Sequence, residues 1–155
     1  MVKRILVFVG AMFLAMGPIG SALAGYAMDI GDVAKVTPRD RTAAFVPITV
    51  ECPPDEGQTA SEGTATVRLT QDQRDGTVSG SGSTSVICDN VLREYSVVVT
   101  SDSATFTRGP ATASGEVEFP DTMCIEHPDY GTECRQVTMR MVAPDQPIEL
   151  FYSGR

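Results

Sequence analysis

Apolar and polar positions alternate along most of the chain. In Val46-Pro47-Ile48-Thr49-Val50-Glu51-Cys52, Val46, Ile48, Val50 and Cys52 share one face, while Thr49 and Glu51 take the other. A period of two marks a half-buried strand. The clearest case is Thr64 to Gln71, with Ala65, Val67 and Leu69 on one side and Thr64, Thr66, Arg68 and Thr70 opposite. Asp75-Gly76 then carries a strong hairpin-turn signal. The Gly/Ser-rich stretch Thr77 to Ser85 reads as a weak strand or a sheet-crossing segment, because it runs into Val86-Ile87-Cys88. Glu94 to Thr100 places Tyr95, Val97 and Val99 inward; Val98 is apolar on the other face, which hints at cover there. Ala111 to Phe119 turns small residues inward around Gly115, a sign that a facing strand comes close. Arg135 to Val142 alternates again, with Val137, Met139 and Met141 inward.

The connecting segments are read from turn chemistry. Gly25 to Ile30 is an unpatterned lead-in, and Asp32 to Thr37 a short first strand. Pro47 lacks a backbone donor, so its strand is expected at a sheet edge or at a bulge. Pro120 to Glu133 reads as a long loop. Pro144 and Pro147 interrupt the tail, leaving Ile148 to Tyr152 as a short edge piece. About seven short strands, with no helix among them, predict an all-β fold: an antiparallel immunoglobulin-like β-sandwich with its core between about residues 32 and 143. It is not of the antibody type. The chain has no Trp, and neither Val86 nor Thr132, two residues before a cysteine, supplies a tyrosine corner.

The N-terminus changes the picture of where the protein works. Lys3 and Arg4 precede an uncharged, mostly apolar run from Ile5 to Met16; Gly17-Pro18 follows, then Ala22-Leu23-Ala24. This is the pattern of a signal-peptide helix cleaved after residue 24, with the secreted domain spanning 25–155. The apolar run is shorter than the roughly 20 residues a spanning helix needs. The formal net charge is −8, and loss of Lys3 and Arg4 takes it to −10. Such a surface repels nucleic acid and anionic membrane. The expectation is an extracellular monomer with no membrane anchor after cleavage.

Export makes Cys52, Cys88, Cys124 and Cys134 disulfide candidates. Of the three pairings, Cys52–Cys88 and Cys124–Cys134 are preferred, since each pair flanks its own local segment. Loops of these sizes stabilise by roughly 3 to 4 kcal/mol each in the chain-entropy model. The competing reading is zinc held by Cys124, His127 and Cys134, with Asp129 or Glu133 as a fourth ligand. An oxidising compartment favours the disulfide.

Taken in order, Ala34-x-Val36-x-Pro38, Val46 to Pro53, the Thr/Val-rich strand ending in Gln71, Gly80-Ser81-Gly82-Ser83, Val86-Ile87-Cys88-Asp89 and Phe106-x-x-Gly109-Pro110-Ala111 resemble a loose group of small secreted β-sandwich proteins from actinobacteria. The resemblance runs from Asp32 to Val142 and implies a fold and an extracellular address, not an activity. Cys124 and Cys134 are additions to that pattern.

Candidate chemistry is sparse. His127 is the single histidine, no Gly-x-Ser-x-Gly is present, and Gly80-Ser81-Gly82 lacks the third glycine, the helix and the lysine of a phosphate loop. No catalytic, cofactor or metal residue stands out, and no cofactor is expected. The reading is a non-catalytic binding or structural module whose partner is an extracellular protein or a small ligand. Its candidate contact residues are Met123, Ile125, His127 and Tyr130 in the cysteine-flanked loop. The alternatives are a carrier of a small apolar ligand, similar in architecture to chromoprotein apoproteins of the neocarzinostatin kind, and a secreted hydrolase.

Overall fold

The computed structural model describes residues 26–39, 41–129 and 131–152. The signal segment 1–24 and Tyr130 lie outside the described residues. Within them the chain is all-β, with no helix. Eight strands follow in order: β1 (Ala27–Ile30), β2 (Val33–Val36), β3 (Ala43–Glu51), β4 (Ser61–Gln73), β5 (Gly76–Cys88), β6 (Arg93–Ser101), β7 (Gly109–His127) and β8 (Gly131–Tyr152). They hydrogen-bond in the order β1-β3-β2-β8-β7-β4-β5-β6, and β6 pairs back onto β3. The pairing therefore traces a circuit around one core. Val46, Ile48 and Val50 from β3 meet Val67 and Leu69 from β4, Val117 and Phe119 from β7, and Leu150 from β8, all essentially inaccessible.

The sheet is mixed rather than purely antiparallel. β2 runs parallel to the end of β8, Val33 opposite Glu149 through Val36 opposite Tyr152, and every other ladder is antiparallel. No hairpin links these two strands, so connectivity does not force them antiparallel. The unpatterned lead-in is a strand as well. β1 pairs with β3 from Ala27–Glu51 to Ile30–Ile48, and β2 pairs with the same edge of β3 at Lys35–Phe45 and Val36–Ala44. Its four residues are too few to display a period.

Pro47 sits neither on an edge strand nor at a bulge: β3 is flanked by β6 on one side and by β1 and β2 on the other. Gly31 N donates to Pro47 O at 2.9 Å, so the nitrogen of Pro47 points the same way, at the break between β1 and β2. The missing donor faces a gap in the partner strand. The tail is not a separate piece either. β8 is continuous to Tyr152, and a register shift between Ala113 and Gly115 absorbs Pro144 and Asp145. Bulges of this kind are where a proline fits inside a sheet.

The Gly/Ser-rich stretch is a full strand. β5 pairs with β4 from Gln73–Gly76 to Ser61–Cys88, and pairs with β6 only at Gly80–Ser101 and Ser81–Thr100. Its inward glycines lie against the β6 backbone. A Cβ on Gly80 would fall 2.4 Å from the Thr100 carbonyl oxygen, and one on Gly82 would fall 2.0 Å from that of Val98. Near Gly115 a facing strand does come close, with Met28 Cε of β1 at 2.4 Å from where a Cβ would sit.

Each end of the core is closed differently. At one, Cys52 and Cys88 are bonded across the ends of β3 and β5, both fully buried, and Asn90 N donates to Cys52 O at 3.0 Å. At the other, Phe106 is wholly buried, with its N–H donating to Arg41 O at 2.8 Å. Gln71, 2% exposed, holds that loop: its Nε2 donates to Thr107 O at 2.8 Å and its Oε1 accepts from Thr107 N at 2.9 Å.

Gly82→Ala is expected to cost about 2 kcal/mol or more, because the β6 backbone cannot give way cheaply. Ser85→Ala, on the solvent side of the same strand, should change stability by less than about 0.5 kcal/mol. Urea denaturation of the two variants makes the comparison. Equal effects would mean that β5 does not rest on β6.

Candidate functional site

The expected loop from Pro120 to Glu133 is a hairpin arm. β7 and β8 stay in register from Phe119–Met139 out to His127–Gly131, and Gly131 takes a φ of 92° beside the turn. A glycine with positive φ closes a three-residue hairpin loop. The arm hid from pattern reading because water reaches both faces, so neither face needs to be apolar. Alternation nevertheless sorts its residues. Met123, Ile125 and His127 share one face with Arg135 and Glu133, and Thr122, Cys124, Cys134 and Gln136 share the other. Met123 and Ile125 are 44% and 45% exposed. His127 Nε2 lies 3.8 Å from a Glu133 carboxylate oxygen. Three of the four expected contact residues are thus brought together, and Tyr130 lies outside the described residues.

The arm is cross-linked and held at its base. Cys124 and Cys134 are directly opposite, with Cα atoms 4.0 Å apart, and are bonded to each other. Both sulfurs are therefore committed, which removes the zinc reading. Among the described residues no group of three or more metal-ligating side chains gathers. At the base stands Asp55, from the Pro-rich segment after Cys52, 6% exposed. Its Oδ1 accepts from Thr122 Oγ1 at 2.7 Å and from Glu56 N at 2.9 Å, and its Oδ2 accepts from Gln136 Nε2 at 3.3 Å. Asp55 thus bonds to both strands of the arm. The hydrogen bond from Thr122 holds its carboxyl below the ordinary carboxylate range, against an opposing desolvation effect, with smaller help from the Glu56 amide and Gln136. The Glu56 carboxylate lies 3.4 Å from Cys124 Sγ.

Sequence reasoning missed Asp55. It sits in a run, Pro53-Pro54-Asp55-Glu56-Gly57, whose chemistry reads as a solvated loop, and only its burial against the arm sets it apart. Missed too were the exposed apolar residues beside the Asp89-Asn90 turn: Ile87 near the end of β5, Val91 and Leu92 are 45%, 49% and 58% exposed. Asp89 there pairs with Arg93 and accepts from Val91 N at 3.2 Å; the Arg93 hydrogen bond lowers its carboxyl below the ordinary range. This turn and the arm lie at the same end of the core, since β5 ends and β6 begins beside Cys52.

Among the described residues, concavities open on the outer faces of the sheet. One of about 540 Å³ lies against β1, β3 and β6, and one of about 320 Å³ lies against β2, β3 and Phe151. Another, of about 200 Å³, lies over β4, β7 and β8. No helix among the described residues is long and apolar enough to cross a membrane. Comparison with known protein families, curated proteins and solved structures returned no match.

Two outcomes follow from the arm. Graded reduction should open Cys124–Cys134 before Cys52–Cys88, because a reductant reaches the exposed bond first; mass spectrometry after alkylation reads the order. Removing both cysteines of the buried pair should also cost more, about 4 against about 3 kcal/mol from loop length alone. As for pH, a carboxyl lowered on folding stabilises fully above its ordinary value, near pH 4, and loses that contribution as pH falls through the lowered one. Asp55→Asn should flatten the decline of stability between about pH 5 and pH 3 and speed amide exchange at Thr122 and Gln136. An unchanged acid limb with unchanged exchange would show that Asp55 does not secure the arm.

Proposed function

We propose that this chain is a secreted, non-catalytic binding module built as an immunoglobulin-like β-sandwich, with the β7–β8 arm as its contact surface. The pairings support the fold. β3 pairs with β6, β4 with β7, and β7 with β8, which are compatible with the B–E, C–F and F–G neighbours of that architecture. The resemblance of Asp32 to Val142 to small secreted actinobacterial sandwich proteins points the same way. Secretion is supported by the leader pattern of residues 1–24 and by four cysteines all paired in two disulfides.

The observation that carries the functional reading is the exposure of Met123 and Ile125 on one face of an arm cross-linked at Cys124–Cys134 and tied down by Asp55. A short antiparallel arm gains little from burying itself, yet it is held rigid at two places. A rigid surface loses less freedom on binding, so its apolar side chains contribute more of their burial to affinity. A carrier of an apolar small molecule would want a cavity between the arm and the sheet. The concavities described above are open and lie on outer sheet faces, which favours a macromolecular contact.

The test places a photo-crosslinking residue at Ile125 and, separately, at Ser83 on the Thr/Ser-rich face, in protein exported by the native cells. Crosslinking from Ile125 should yield one discrete adduct, competed by added native protein but not by the M123S/I125S variant. The same adducts from both positions, or equal competition by the variant, would remove the arm from the binding surface.

A further inference from the structure

The outward face of β2, β3 and β6 is more apolar than a solvated sheet face requires. In register across four strands lie Phe151 on β8, Lys35 on β2, Phe45 on β3 and Val98 on β6. Phe45 and Val98, directly opposite, are 40% and 46% exposed, and Val33 on the next row is 44% exposed. Pro47 and Ser96 line both the 540 Å³ and the 320 Å³ concavities, so the two adjoin along β3, and together they are the groove over that strand. Contiguous exposed apolar surface with a polar rim marks an interaction site. The sequence carried a trace of this in Val98, the apolar residue on the wrong side of its strand.

The charges around the groove choose its occupant. Two rows beyond Phe45, Asp29 and Glu94 stand on either side of Thr49, one on β1 and one on β6. Both are exposed, and neither forms an ion pair with a described residue. Glu149 flanks Val33 from β8. Lys35 is the one cation in this set. A second copy of a chain with net charge −8 would bring more carboxylates to this rim. The open shape also suits an extended segment better than a small molecule, which binds best when mostly enclosed.

We infer that the groove over β3 docks an extended, basic polypeptide segment of a partner protein. An apolar side chain seats on Phe45, Val33 and Val98, and a lysine or arginine four residues along reaches Asp29 and Glu94. The spacing follows from the strand: Phe45 and Thr49 are about 13 Å apart along β3, and alternate residues of an extended peptide face the same way. This site shares no residue with the arm and holds or fails independently of it.

The probe is an acetylated, amidated heptapeptide of Ser and Thr with Leu and Arg four residues apart, alongside a twin with Glu in place of Arg. Amide shifts of the labelled full domain follow the titration. Saturable shifts are expected at Val33, Phe45, Ser96 and Val98. Affinity should fall about fivefold in the D29N/E94Q variant, the sum of two exposed ion pairs, and at least as much for the Glu twin. F45S should abolish saturation. F45S is an exposed position, and D29N/E94Q leaves the apolar floor untouched, so a folding defect in one does not spoil the other. Shifts scattered over acidic residues, with no loss in either variant, would overturn the proposal. So would no saturation at millimolar peptide. Concentration-dependent sedimentation of the unliganded protein that F45S abolishes would hand the groove to a second copy and overturn it equally.

Discussion

The close approach of β5 to β6 at Gly80 and Gly82 is the contact on which the rest of the structure depends. β5 is hydrogen-bonded to β4 along its whole length, next to β7 and β8 in the strand order. Yet the pairing circuit closes only through two β5–β6 residue pairs. A side chain at either glycine would press on the β6 carbonyls between Val78 and Val86 and strain the joint that the Cys52–Cys88 bond also holds. The buried disulfide and the glycine pair therefore secure one joint by different means. The glycines let the backbones meet, and the cystine fixes the strand ends a few residues further on. The far end, plugged by Phe106 and held through Gln71, has no covalent bond and relies on a buried side chain with paired hydrogen bonds.

How much of this was legible depends on whether an element faces apolar core on one side and water on the other. β3, β4, β6 and the first half of β7 do, and their alternation named their inward residues correctly: Val46, Ile48 and Val50; Ala65, Val67 and Leu69; Val97 and Val99; Val117 and Phe119. The two disulfides were legible from position, since each cysteine sat at the end of a pattern or beside its partner in chain order. Elements with no such asymmetry are legible in part or not at all. β1 is too short to show a period. The arm is wet on both faces. β5 reads only as a weak strand, because it packs glycine against backbone, and a glycine gives a hydropathy pattern nothing to record. Pro47 points to an edge only while its missing donor is weighed against its own strand. What settles a proline in a sheet is whether the neighbouring strand offers an acceptor at that height, and here the neighbour is broken.

The same logic separates the candidate surfaces. The flanking cysteines single out Met123, Ile125 and His127 even though the turn chemistry of the segment reads as a loop. Asp55 was passed over because a carboxylate between prolines and glycines has every appearance of a solvent group. Only three dimensions reveal that it satisfies Thr122 and Gln136 from two different strands, a long-range arrangement that no local window contains.

Arm and groove differ in how they would respond to a change in the fold. The arm stands on Asp55 and its own cystine, and its apolar tips can be reshaped without touching the core. The groove is the back of the core itself. Phe45 and Val98 are outward, but Ala44, Val46, Val97 and Val99 on either side of them are fully buried. A substitution that shifts β3 or β6 to fit a new ligand would disturb inward neighbours at 0% exposure, where even one methylene is felt. Close packing therefore fixes the shape of the groove and leaves its rim free to vary, because Asp29, Glu94 and Glu149 are surface residues with no part in the core. Selectivity on this face would change most readily through those three charges, while the apolar floor stays as the strands set it.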